Sequence, residues 1–214
     1  LLGLLMRLHQ AGRINVGIGE FYTYMTLHGM GMTILIFSTV LAVLWYVLGK
    51  KYLRLNQDLG RDLFYAELLG FLLIVVGGLI GKFAGGWYFL YPLPFKASFW
   101  TSWSVGMTYF ALLVIMLSWF ISIWHLLRKM LNGFGSKILT MWKAGGLTGS
   151  VPVIVFTAIL SLGILVLVLS IGIVLSLLYL LVYFLPSLGL SPLLMQDMAM
   201  VQEEFLRIIS ILIT

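Results

Sequence analysis

The sequence predicts an all-α, polytopic transmembrane helix bundle made of the end of one span, four complete spans and the start of a further one. Three observations carry that prediction. Of 214 residues, 62% are hydrophobic and 9% charged, whereas soluble domains run at roughly 45–50% apolar and about 25% charged. Apolar runs long enough to cross about 30 Å of hydrocarbon recur along the chain. The basic residues gather in alternate connecting segments, as the positive-inside rule requires.

Leu1–Leu8 reads as the last turns of a span. Arg7, His9 and Arg13 mark an interface, and Gly12, Asn15, Gly17 and Gly19 a loop. The first complete span is Phe21–Leu48, ended by Gly49-Lys50-Lys51. A polar loop from Lys50 to Asp62 carries Lys50, Lys51, Arg54 and Arg61 against Asp58 and Asp62. The second span is Leu63–Gly81; its Gly70, Gly77, Gly78 and Gly81 recur at the small-residue spacing that lets helix backbones approach closely.

Lys82 to Lys96 contains Pro92 and Pro94, which preclude an ordinary helix, and Trp87, Tyr88 and Tyr91, which suit headgroup depth. The third span, Phe99–Leu127, closes on Arg128-Lys129 and a polar loop with Lys137 and Lys143. From Ala144 to Gln196 there are 53 residues without a charge. That length accommodates one span or two. Pro152 at one end and Pro186, Gly189 and Pro192 at the other favour one long tilted helix, Val151–Leu185. Gln196 to Thr214 reads as an interfacial helix leading into another span. The apolar beginning without Met and the apolar end predict that residues 1–214, one transmembrane domain, are the N-terminal portion of a longer polypeptide.

Segments 50–62 and 128–143 each hold four Lys or Arg residues, segment 82–96 holds two and 186–196 none. The first two are therefore expected on the cytoplasmic side, and Phe21–Leu48 enters from the outer face. His28 then lies in the outer third of the membrane. A net charge of +6 distributed this way is a topology signal and does not indicate nucleic acid. The absence of cysteine excludes disulfides, iron–sulfur clusters and thiolate metal sites.

The residues able to carry chemistry are few. Phosphate-binding Gly-Lys-Ser/Thr loops, His-Glu-x-x-His and Gly-x-Ser-x-Gly are missing, and the chain has seven acidic residues. His28 is the outstanding candidate. An ionisable side chain inside a span is costly and is usually functional; a neutral imidazole is a good axial ligand for haem iron. Gly29 and Gly31 beside it would let a flat macrocycle lie near the backbone. The competing reading is a histidine bonded to a carbonyl or hydroxyl of a neighbouring helix. His9, between Arg7 and Arg13, and His125, just before Arg128-Lys129, read as structural residues at interfaces or helix ends. Glu20 suits a helix N-terminus, and Glu67 sits about a turn inside the second span; each is also a candidate for proton uptake.

Tyr24-Met-Thr-Leu-His28-Gly-Met resembles the Thr-x-His-Gly signature on the second helix of subunit I of the haem–copper oxidases. Tyr91-Pro92-Leu93-Pro94 resembles the Tyr-Pro-Pro-Leu segment of the outer loop between that subunit's third and fourth helices, with Leu93 in place of the second proline. Gly3-Leu-Leu-Met-Arg7 resembles the end of its first helix. The pieces agree in order and spacing, and the likeness is nearest to divergent archaeal and bacterial branches that include quinol oxidases. Gln202-Glu203-Glu204 departs from the family's text, and the Asp-and-Asn motif of one proton-pathway class is missing from segment 50–62.

The resemblance implies that His28 is one axial ligand of a low-spin haem, with Gly29 and Tyr91 beside the cofactor. It implies a haem–copper centre reducing dioxygen to water, built from later helices that also supply the second axial histidine. Further subunits of a respiratory complex, a quinol or small carrier protein as electron donor and a prokaryotic plasma membrane are implied likewise. A nitric oxide reductase-like relative, a solute-moving bundle and a cofactor-free subunit remain as alternatives.

The topology has a direct test, because a cysteine-free chain accepts single reporter cysteines. Arg54→Cys is expected to react with a membrane-impermeant maleimide in inverted vesicles and to stay unlabelled in intact cells; the reverse pattern would overturn the orientation.

Overall fold

The computed structural model describes residues 1–85, 100–143 and 151–184. These form five helices: α1 (Leu2–Gln10), α2 (Ile18–Lys51), α3 (Gln57–Leu79), α4 (Ser102–Lys143) and α5 (Val153–Phe184). No strand occurs among the described residues. Four helices, α2 to α5, are long and apolar enough to cross a membrane. The protein is a multi-pass, all-α membrane protein. The expected further span and the expected Tyr-Pro segment, including Tyr91, lie outside the described residues.

Helices dominate because hydrocarbon offers the backbone no hydrogen-bond partners, so each crossing segment must satisfy its own N–H and C=O groups. At 34 residues, α2 is about 50 Å long, well beyond the hydrocarbon thickness, so its ends stand in the polar zones. Asn56 marks the start of α3: its Oδ1 accepts from the Asp58 and Leu59 amides at 3.1 and 3.3 Å. Asp58 in that first turn, and Lys50 and Lys51 in the last turn of α2, carry the charge signs that the helix dipoles favour. The expected loop from Lys50 to Asp62 therefore contracts to Tyr52–Asn56, with the Tyr52 and Leu53 amides both bonded to the Leu48 carbonyl.

A larger correction concerns α4. The polar loop expected at 128–143 is helical, and α4 runs on to Lys143 for 42 residues. Residues 128–143 contain no proline, and Met130, Leu131, Phe134 and Ile138 recur at helical spacing. Glycines at 133 and 135 weaken a helix without breaking it. A helix leaving the membrane keeps its backbone bonds, so polarity alone does not end it.

By contacts the chain divides into two units, each threaded by α2 to α5. The first comprises Leu1–Met30, Leu73–Phe110 and Ser176–Thr214. Within it, Gly77 of α3 meets α4: a Cβ there would fall 2.7 Å from Thr108 Oγ1. Gly81, four residues on, faces Ser104, four residues before Thr108. Gly78 faces Leu27 of α2, and Tyr109 stacks on Tyr179 at 4.8 Å between centroids. The second unit comprises Gly31–Leu72 and Ala111–Leu175. Its α3–α4 contact closes at Gly70, where a Cβ would lie 2.6 Å from Ile115 Cγ1 and 3.0 Å from the Ala111 carbonyl. Leu48, Ile115, Ile123, Leu126, Met130, Val155 and Leu162 are among its fully buried apolar side chains. The predicted small-residue seam along α3 thus has its partners on α4 and α2.

Gly70→Val is expected to lower stability in detergent by about 1–3 kcal/mol through overpacking. Gly133 has no atom within 4 Å of an added Cβ, so Gly133→Ala is expected to be neutral or to stabilise by up to about 1 kcal/mol. Thermal midpoints of the two variants check the contrast.

Candidate functional site

In the first unit, His28 stands ten residues into α2, about 15 Å from its start. Its side chain is exposed. The imidazole reaches α1 at Gly3, where a Cβ would lie 3.2 Å from Nε2 and 3.3 Å from Cε1. Gly3 therefore forms a notch occupied by the ring, and any larger residue there would press on it. His28 has no hydrogen-bond partner among the described residues. The bonded, structural alternative for this histidine thus has no partner in the described part of the chain. Gly29 follows His28 on the helix and is half-buried.

The ends of this unit are fixed by polar contacts. Glu20, in the first turn of α2, pairs with Lys82 at 3.6 Å, both side chains being half-exposed. Thr23 Oγ1 donates to the carbonyls of Gly19 and Lys82 at 3.0 and 3.1 Å. Lys82 itself adopts φ 60, a left-handed conformation unusual for a residue with a side chain. The Glu20 carboxylate thus holds the connection that leaves α3. His9 accepts a bond from the Val16 amide at Nδ1 (3.1 Å) and packs on Phe21, which ties the α1–α2 loop together.

A second polar group lies in the other unit. Trp119 Nε1 of α4 donates to Ser38 Oγ of α2 at 3.1 Å, and the half-buried Glu67 of α3 hydrogen-bonds with both side chains. Phe37 covers the indole at 4.4 Å between centroids. Beside the trio runs a cleft of about 720 Å³, with Ser38, Ser122 and Glu67 at one part and Lys50, Gln57 and Arg61 at another. Sequence reasoning singled out Glu67 and missed its partners. Ser38 and Trp119 are 81 positions apart, and nothing in the local text marks either as polar-facing.

His125 needs correction. Because α4 continues to Lys143, it sits inside a helix and not at a solvated end. Its ring stacks on Trp45 at 5.4 Å and 16°, and its Nε2 is buried without a partner among the described residues, as is Trp45 Nε1.

Among the described residues no group of three or more His, Cys, Asp or Glu side chains could hold a metal ion. His28 is a lone, exposed imidazole that could give one bond to a metal, and in this arrangement its Nε2 lies against Gly3. Tyr91, the other expected neighbour of the cofactor, lies outside the described residues. Comparison with protein-family models, curated proteins and solved structures returned no match.

Trp119→Phe is expected to cost about 1–2 kcal/mol, since it removes a donor shared by Ser38 and Glu67. Ser38→Ala is expected to cost less, because Glu67 remains to accept from the indole. Unfolding in mixed micelles measures both.

Proposed function

We propose that the chain is part of the haem-bearing core subunit of a respiratory terminal oxidase in a prokaryotic plasma membrane. In this reading it carries electrons through a low-spin haem toward a haem–copper centre that reduces dioxygen to water with proton translocation. The observation that carries the reading is His28. An imidazole on a membrane-crossing helix, exposed and without a hydrogen-bond partner among the described residues, calls for a group to offset its exposure to lipid. The Thr-Leu-His-Gly text around it supports the same reading.

His28 would hold the haem iron through its ring, and the haem would supply one-electron transfer. The chain's own residues do the positioning. Gly3 leaves space for the imidazole and limits its rotation, since the ring fills the volume that a side chain would take. The Glu20–Lys82 pair and Thr23 fix the nearby end of α2 against the start of the connection after α3. Later helices would supply a second histidine for the haem and the residues that hold copper. Other subunits and a quinol or small carrier protein complete the assembly.

His28→Ala is expected to remove the low-spin haem bands from the reduced-minus-oxidised spectrum of the purified protein, while Gly3→Val shifts or broadens them. Retained expression and tryptophan fluorescence identify variants that have folded. Unchanged bands in a folded His28→Ala protein would overturn the reading and favour a cofactor-free subunit.

A further inference from the structure

The Ser38–Trp119–Glu67 group has no part in holding a haem, yet it puts a carboxyl inside a membrane-crossing helix. Such a group is expensive there unless it is used. Its partners are informative. Among the described residues no cation pairs with Glu67: Arg61 is held by Asp58 at 3.3 Å and Asp62 at 3.5 Å, and Lys50 by the Tyr46 hydroxyl at 3.1 Å. Tyr46 is a further titratable group in the cleft lining, and His125 of α4 stacks on Trp45, which also lines the cleft. Helix α5 carries no titratable side chain between Val153 and Leu175.

The partners Glu67 does have are a hydroxyl and an indole N–H. The Ser38 hydroxyl can rotate to donate to a carboxylate or to accept from a carboxylic acid, and the indole can donate to either form. Both protonation states are therefore served by the same side chains. A paired cation would lock the charged form, and a dry apolar wall the neutral one.

A route is also present. The cleft's volume of about 720 Å³ exceeds the room needed for several waters. Ser38, Ser122 and Glu67 give those waters polar partners, and the lining continues to Lys50, Gln57 and Arg61. From Ser38 to Lys50 is about 18 Å along α2, so the cleft joins the half-buried carboxyl to the basic end of α2 and the start of α3.

We propose that Glu67 is a proton-exchange site, taking up and releasing a proton through this cleft from the basic, cytoplasmic end. The inference goes beyond the oxidase reading and does not depend on haem.

The test uses the whole protein in its native membranes and the hydrophobic probe dicyclohexylcarbodiimide. This reagent takes the proton of a carboxylic acid, and the carboxylate oxygen adds to its central carbon; acyl transfer to nitrogen then leaves a stable acylurea with no leaving group. Mass spectrometry is expected to place the adduct on Glu67 in preference to exposed Asp58 and Asp62, with a yield that rises several-fold on acidification. Glu67→Gln abolishes it, and Ser38→Ala displaces its pH profile. In D2O, the infrared carbonyl band absent from Glu67→Gln is expected to shift within the mixing time. No Glu67 adduct at any pH, a pH-independent yield, or a carbonyl band that stays unexchanged for hours would overturn the proposal. The last result would mark a sealed, structural acid.

Discussion

Hydrocarbon neither donates nor accepts hydrogen bonds, and nearly every feature of this chain follows from that. The backbone answers with four long helices. Hydroxyls answer locally: Thr23, Ser118, Thr157 and Ser170 each donate to the carbonyl four residues before them. Glu67 answers across helices, through Ser38 and Trp119. His28 does not find an answer among the described residues. Thr26 Oγ1, Thr108 Oγ1, Trp45 Nε1 and His125 Nε2 are also without partners, but those atoms are enclosed. His28 is exposed, so a group from outside can reach it. The enclosed atoms are closed off by packing, whereas the exposed imidazole is the one that the proposed ligand would meet.

Lipid tails are as apolar as leucine, so burial alone supplies little force to bring membrane helices together. Close approach does the work instead. Gly70, Gly77 and Gly78 of α3, and Gly81 just after it, leave out side chains where Ile115, Thr108, Leu27 and Ser104 come in. Gly3 extends the same device to α1, with a different result: the space is taken by an imidazole and not by a helix backbone. A glycine that packs two helices and a glycine that seats a polar ring are alike in sequence. Only the residue opposite tells them apart.

Much of the fold was legible because its causes are local. The apolar runs of α2, α3 and α5 follow from length and composition, and the glycine spacing on α3 announced its seam. Where local text misled, a balance was misjudged. Residues 128–143 are polar, yet they lack a proline and keep helical spacing, so α4 continues. Segment 50–62 has the polarity of a loop, although Asn56 carries the cap that starts α3. The site was legible only in part. His28 stood out through its chemistry and its resemblance to a family signature, whereas Gly3, Ser38 and Trp119 derive their meaning from contacts between distant positions. No single-sequence pattern encodes those.

The ligation of His28 is open to direct measurement. Pulsed electron paramagnetic resonance of the oxidised, purified whole protein, grown with histidine labelled with nitrogen-15 in the ring, reads the nuclei bound to a low-spin ferric iron. A His28-ligated haem predicts a low-spin signal with strong nitrogen-15 coupling from an axial imidazole. A low-spin signal without that coupling, or no low-spin iron at all, would contradict it.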